Sequence, residues 1–188
     1  MELTIIAGPN GSGKSTLASQ LNFDYEFISA DKYEKTLVAH DISDKEQREL
    51  QATLIVQKEI QSAISANESF AFETVFATKT IPSFLKVAKE KGYTITLHYV
   101  ATDDCEINIQ RVAKRVNEGG HDVPKQKIIK RYSETLSILP QIIKFADTVI
   151  LYDNSKETLK SFLIKEDNQI KVIGTVPSWA TRIIDELR

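Results

Sequence analysis

Gly8-Pro9-Asn10-Gly11-Ser12-Gly13-Lys14-Ser15 is the stretch on which the reading of this chain turns. It meets the pattern G-x-x-x-x-G-K-[ST] at every fixed position. The flanks agree with it. Leu3-Thr4-Ile5-Ile6-Ala7 is a short apolar run suited to a buried strand, and Ser15-Thr16-Leu17-Ala18-Ser19-Gln20-Leu21 reads as a helix. Phosphate binding requires this order of strand, loop and helix. Glycines let the backbone turn tightly and aim successive N–H groups at phosphate oxygens, and the helix N-terminus adds a favourable dipole. Gly8 through Thr16 would then cradle the phosphates. Lys14 would bridge the outer ones, and the Ser15 hydroxyl would hold Mg²⁺. The expectation is a nucleoside-triphosphate site. ATP is preferred over GTP because the chain has no Asn-Lys-x-Asp segment to read guanine.

Bulk properties narrow the classes further. With 188 residues, 41% hydrophobic and 27% charged, the composition is that of one ordinary globular domain spanning 1–188. A net charge of −2 gives no general electrostatic drive toward nucleic acid or anionic membrane, so neither is expected as a partner. The one cysteine, Cys105, excludes an internal disulfide and fits a reducing compartment. No run reads as a signal-peptide core or a membrane span, which points to the cytoplasm.

Strand-like runs alternate with amphipathic helical ones, which predicts an α/β fold. Five strands are expected, at Leu3–Ala7, Glu26–Ser29, Ser69–Glu73, Tyr93–Val100 and Thr148–Tyr152. They should form a mainly parallel sheet with helices on both faces, in the three-layer manner of a phosphate-loop nucleotide kinase. A long helix is expected from Asp44 to Ala66, with Ser43 and Glu46 as its capping box. Another runs from about Pro82 to Lys91 and ends at Gly92. Asp103 and Glu106 are expected to cap the next one. Beyond the fifth strand, about 162–187, come a β-hairpin around Glu166-Asp167-Asn168-Gln169 and a short helix. That helix turns Trp179, Ile183 and Leu187 to one face for packing.

Three further features speak to chemistry. Phe27-Ile28-Ser29-Ala30-Asp31 delivers a carboxylate to the strand-end rim where ligands of parallel sheets bind. There Asp31 could orient an acceptor hydroxyl and take its proton, or it could cap a helix beginning at Lys32. Glu73 ends an apolar strand and could hold a Mg²⁺-bound water or the acceptor's hydroxyls, or pair with Lys79. Thr74, Thr78 and Lys79 follow it and could line an acceptor pocket. The third feature is a helix–turn–helix lid at about 111–132. Arg111 and Arg115 share a helix face, Gly119-Gly120 breaks the helix, Pro124 sits near the next start, and Arg131 follows. Guanidinium forks on such a lid match phosphate oxygens, and closure excludes water. His121 could meet the nucleotide or cap the turn.

Taken together, Gly8–Thr16, Ser29-Ala30-Asp31, Phe72-Glu73-Thr74, the Gly119-Gly120-His121-Asp122-Val123-Pro124 stretch between Arg115 and Arg131-Tyr132, and Tyr152-Asp153-Asn154-Ser155 resemble the zeta-toxin-type kinase family. The resemblance runs from Met1 to about Ser155. It implies an ATP- and Mg²⁺-dependent kinase with Lys14 on the phosphates, Asp31 as general base and Glu73 in the acceptor site. It also implies Arg115 and Arg131 as lid arginines, with Arg111 as a spare. The better-known members phosphorylate UDP-N-acetylglucosamine, and the resemblance makes an antitoxin protein a candidate partner. This chain is shorter, and it carries Gly119-Gly120-His121 where they place a second arginine-bearing loop. The expected function is therefore phosphoryl transfer to a hydroxyl of a small molecule. The rival readings are a polynucleotide or nucleoside 5′-hydroxyl kinase and an ATP-binding regulatory module with little turnover.

Overall fold

The computed structural model describes residues 1–39, 44–76, 81–167 and 169–187. Alternation of side chains along β1 (Glu2–Ala7) and β4 (Thr94–Ala101) sets the layers. Leu3, Ile5, Ile95, Leu97 and Tyr99 enter the main core, while Ile6 and Val100 join a smaller core with Leu17 on the other face. Both strands are buried on both sides, as central strands of a parallel sheet must be. The remaining strands are β2 (Glu26–Ile28), β3 (Phe70–Thr74), β5 (Thr148–Asp153), β6 (Lys160–Glu166) and β7 (Gln169–Val172). They assemble in the order β2-β3-β1-β4-β5-β6-β7. The first five run parallel, as expected. The hairpin is no separate appendage: β6 pairs antiparallel with β5 and extends the sheet to seven strands.

The main core face carries α3 (Lys45–Ala66), α4 (Ile81–Glu90), α6 (Lys125–Ile143) and α7 (Thr181–Leu187), which contribute residues such as Ile60, Leu85, Leu139 and Ile183. Trp179 and Ile183 are buried and Leu187 packs against them, as their shared face predicts. The opposite face carries the short α1 (Lys14–Ala18) and an aromatic group that includes Phe23 and Phe27. No described helix is long and apolar enough to cross a membrane.

Two details depart from the sequence reading. A helix α2 (Ala30–Ala39) follows β2 directly, so Asp31 lies in its first turn. The expected cap pair of the fifth helix is also wrong by one residue. The cap of α5 (Cys105–Asn117) is Asp104, whose carboxylate accepts from the Glu106 N–H at 2.9 Å. Asp103 instead accepts from the Ser178 hydroxyl at 2.7 Å, tying the C-terminal segment to the end of β4. Only one of two adjacent aspartates can point back along the helix axis, and the other is free for a distant donor. Ser43, the expected cap of α3, lies outside the described residues. The Asp44 carboxylate caps that helix, accepting from the Glu46 and Gln47 N–H groups.

His98 lies in the middle of β4 with only 8% exposure, its Nδ1 2.9 Å from the Tyr152 hydroxyl. Burial lowers its pKa to about 4 from an ordinary 6.5. The neutral ring is therefore the folded form, while the unfolded chain takes up a proton at higher pH. Stability is fully present above pH 6.5 and is lost as the pH falls from there toward 4, on the order of 3 kcal/mol across the window. Urea unfolding as a function of pH is expected to show this loss in the wild type and a smaller one in His98→Gln. Equal pH dependence in the two would contradict the assignment.

Candidate active site

The carboxyl ends of β1, β2, β3, β4 and β5 share one rim, and the loop 8–13 leaves β1 at its centre. Its course depends on glycine. Gly8 has φ 145°, and a Cβ there would sit 2.0 Å from the Val100 carbonyl oxygen. Gly13 has φ 104°, and its Cβ would press 2.4 Å from Asn154 Nδ2. Both positions lie where L side chains are strained, so the backbone can fold back around a small volume. Two asparagines brace the loop from outside. Asn154 donates to the Ser12 carbonyl at 2.7 Å, and Asn108 donates to the Asn10 carbonyl at 2.6 Å. Ser155 donates to the Asp153 carboxylate and accepts from the Asp103 N–H.

Lys14 opens α1 with its ammonium buried. It donates to the Pro9 carbonyl at 3.1 Å, and the nearest carboxylate oxygen, on Glu73, is 3.8 Å away. Burial holds its pKa below the ordinary lysine value. Glu73 and then Asp31 pull it back up, and the charges of Arg115 and Arg131 push it down again. A buried ammonium so sparsely paired, with cations around it, is poised for an anion. Ser15 donates to both Glu73 carboxylate oxygens, at 3.1 and 3.3 Å. This hydroxyl and carboxylate form an oxygen set that a hard divalent cation such as Mg²⁺ accepts. The Lys79 partner considered for Glu73 lies outside the described residues, as does Thr78. Thr74 accepts from the Phe76 N–H at 3.2 Å and faces the same cleft.

The helix–turn–helix expected as a lid is formed by α5 and α6. Gly119, at φ 83°, ends the first helix, and Pro124 starts the second. Arg131 donates to the Asn10 side-chain oxygen at 3.2 Å, which places its guanidinium over the loop. Arg115 donates to the His121 carbonyl at 2.6 Å and Arg111 to the Lys156 carbonyl at 3.1 Å. The Arg115 Nε and Arg111 Nη1 are buried without a hydrogen-bond partner. Unmet guanidinium donors lining a cleft suit phosphate oxygens. His121 does not cap the turn. It pairs with Glu34 of α2 at 3.1 Å and approaches Glu49 of α3 at 3.8 Å, while Lys127 also pairs with Glu49. Lys45 donates to the Asp122 carbonyl at 2.8 Å. The turn between α5 and α6 is thereby fastened to α2 and α3.

One cleft of about 1150 Å³ brings together Lys14, Asp31, Glu73, Arg111, Arg115 and Arg131. Thr16 is exposed at its edge. The sequence reading missed Asn108 as a loop brace. The signal was present: Asn108 stands one turn before Val112 on the buried stripe of α5, a polar residue where packing asks for an apolar one. Asn108→Leu leaves the Asn10 carbonyl and the Thr102 hydroxyl without it, and is expected to cost about 1–3 kcal/mol. An unchanged urea midpoint would contradict this.

Residues 3–136 match the family described as AAA domain. The chain belongs to this AAA-domain family. An uncharacterized protein of Haemophilus influenzae (strain Rd) is 32% identical over 127 residues, covering 66% of this chain and 88% of that protein. Among solved structures, this AAA-domain chain is similar to one in the AvrRxo1-ORF1:AvrRxo1-ORF2 complex, determined with ATP. The TM-score is 0.75 at 13% identity, over 99% of this chain and 63% of that one. It is also similar to a chain of the PezAT toxin–antitoxin system of Streptococcus pneumoniae, with TM-score 0.64 at 16% identity over 100% and 77% of the two chains. The likeness to both structures is one of fold. The resemblance read from the sequence is borne out at the level of fold: this AAA-domain chain has a phosphate-loop kinase-like fold similar to that of the PezAT chain.

Proposed function

We propose that the protein is an ATP- and Mg²⁺-dependent kinase that transfers the γ-phosphoryl group to a hydroxyl of a small molecule. One observation supports this most. A buried, sparsely paired ammonium, an exposed aspartate and two lid arginines converge on a single cleft. The loop amides and Lys14 would hold the phosphates. Ser15 and Glu73 would hold Mg²⁺, which when bound neutralises charge on the phosphate oxygens. The acceptor oxygen attacks the γ-phosphorus as Asp31 takes its proton. The bond from that phosphorus to the bridging oxygen breaks, and ADP departs. Arg115 and Arg131 stabilise the charge spread over the transferring group, and the fastened lid keeps water from competing.

UDP-N-acetylglucosamine enters as one candidate acceptor, from the sequence resemblance. An antitoxin partner belongs to the same proposal, since a similar fold occurs in a toxin–antitoxin system; the cytoplasmic setting is proposed from the sequence alone. The test is incubation of the purified chain with Mg²⁺ and γ-labelled ATP against a panel of hydroxyl compounds that includes this sugar nucleotide. Label is expected on at least one alcohol, faster than release to water. Transfer to none of them would leave only a nucleotide-binding module.

A further inference from the structure

The cleft does not end at Glu73. It continues as a trough between α3 and α4, where Val56, Ile60, Ile64, Phe72 and Phe84 supply apolar lining and Gln57 and Gln61 supply uncharged amides. Phe72 and Phe84 meet edge to face at 5.5 Å between ring centres. Val87 on α4 borders it at 44% exposure, a large apolar side chain left facing water. From Ala52 to Ile64 helix α3 rises about 18 Å, so the trough is long enough for an extended organic molecule. At about 1150 Å³ the whole cleft exceeds the usual range of small-ligand sites, roughly 300–1,000 Å³.

Charge along the cleft is segregated. Among the described lining residues, the carboxylates and guanidinium groups all stand at the phosphate end, from Asp31 to Arg131. The one charged group farther along is Lys91, and its ammonium already closes the end of α3 by donating to the Ile64 carbonyl at 2.8 Å. Among the described residues, a second phosphorylated moiety lying in the trough would find no unengaged cation. An apolar one would cover Val56, Phe84 and Val87 and release the water beside them.

We propose that the phosphoryl acceptor is an amphipathic alcohol, its hydroxyl beside Asp31 and Glu73 and its apolar body in the trough between α3 and α4. This rests on the kinase reading, with which the trough is continuous. The test uses the full chain and pyrenebutanol as probe, followed by fluorescence and by transfer of label from ATP, with UDP-N-acetylglucosamine as the polar comparison. Saturable binding and phosphorylation of pyrenebutanol are expected in the wild type. Val56→Trp, which fills the trough, and Val87→Glu, an exposed position that tolerates charge, are each expected to weaken probe binding about tenfold or more. ATP affinity serves as the check that both variants are folded. Transfer to the sugar nucleotide without any pyrenebutanol binding would overturn the inference and leave the kinase reading in place. Pyrenebutanol binding with no transfer to any alcohol would overturn both. A dimer abolished by Val87→Glu, with no probe bound, would assign the trough to a second copy and also overturn the inference.

Discussion

Arg131→Ala is expected to slow phosphoryl transfer by about 10³–10⁵ with ATP affinity much less affected. The reason is position. Arg131 comes from the second lid helix, yet its guanidinium reaches the Asn10 side chain at 3.2 Å, in the middle of the phosphate loop. Its charge is felt at Lys14, which it pushes toward the neutral form. Two cations held this close repel each other until an anion lies between them, and their attraction grows as negative charge spreads over the transferring group. Burial lowers the guanidinium's own pKa, and Glu49, then Glu134, oppose that shift. Arg131→Lys is expected to recover little, because a point charge cannot reproduce a planar fork of donors. A loss of less than about tenfold in kcat for Arg131→Ala would remove it from the transition state.

Asp31→Asn is expected to lower transfer by about 10²–10⁴ while ATP binds within about twofold of the wild type. Asp31 stands in the first turn of α2 and faces the cleft, exposed to solvent, where its charge supports the Lys14 ammonium. The amide keeps the size and a hydrogen-bonding oxygen but cannot accept the acceptor's proton. Calorimetric titration with ATP and labelled-phosphate transfer on the same preparation separate the two effects. Parallel losses in both would make Asp31 a support for the loop. No loss in either would favour a binding module. If Asp31 takes the proton and Arg131 holds the phosphate, as proposed, the double variant is expected to fall short of the product of the single losses.

Much of this architecture was legible from local patterns. The order of strands and helices follows from runs of Val, Ile, Leu and Phe broken by Gly and Pro, as in Leu3–Ala7 and Tyr93–Val100. The phosphate loop is a contiguous motif, so its geometry at Gly8 and Gly13 is inscribed in neighbouring residues. The helix–turn–helix, too, could be read from Gly119-Gly120 between two arginine-bearing helices. Where adjacent residues competed for one role, local reading failed. Asp103 and Asp104 are equivalent as caps by spacing, and the distant Ser178 decides between them.

The chain's own sequence thus determined the phosphate loop, the parallel α/β arrangement and the residue types that would meet a triphosphate, because each depends on contacts within a few residues. Tertiary structure alone decided which of those residues meet. Glu73 is 58 positions from Ser15, and Arg131 is 121 from Asn10, yet sheet order and lid packing bring them together. The same packing leaves a trough between α3 and α4 that is lined by apolar and uncharged polar side chains. No periodicity could reveal that gap, since residues such as Val56 and Phe84 look the same in sequence whether they face a neighbour or an open cleft.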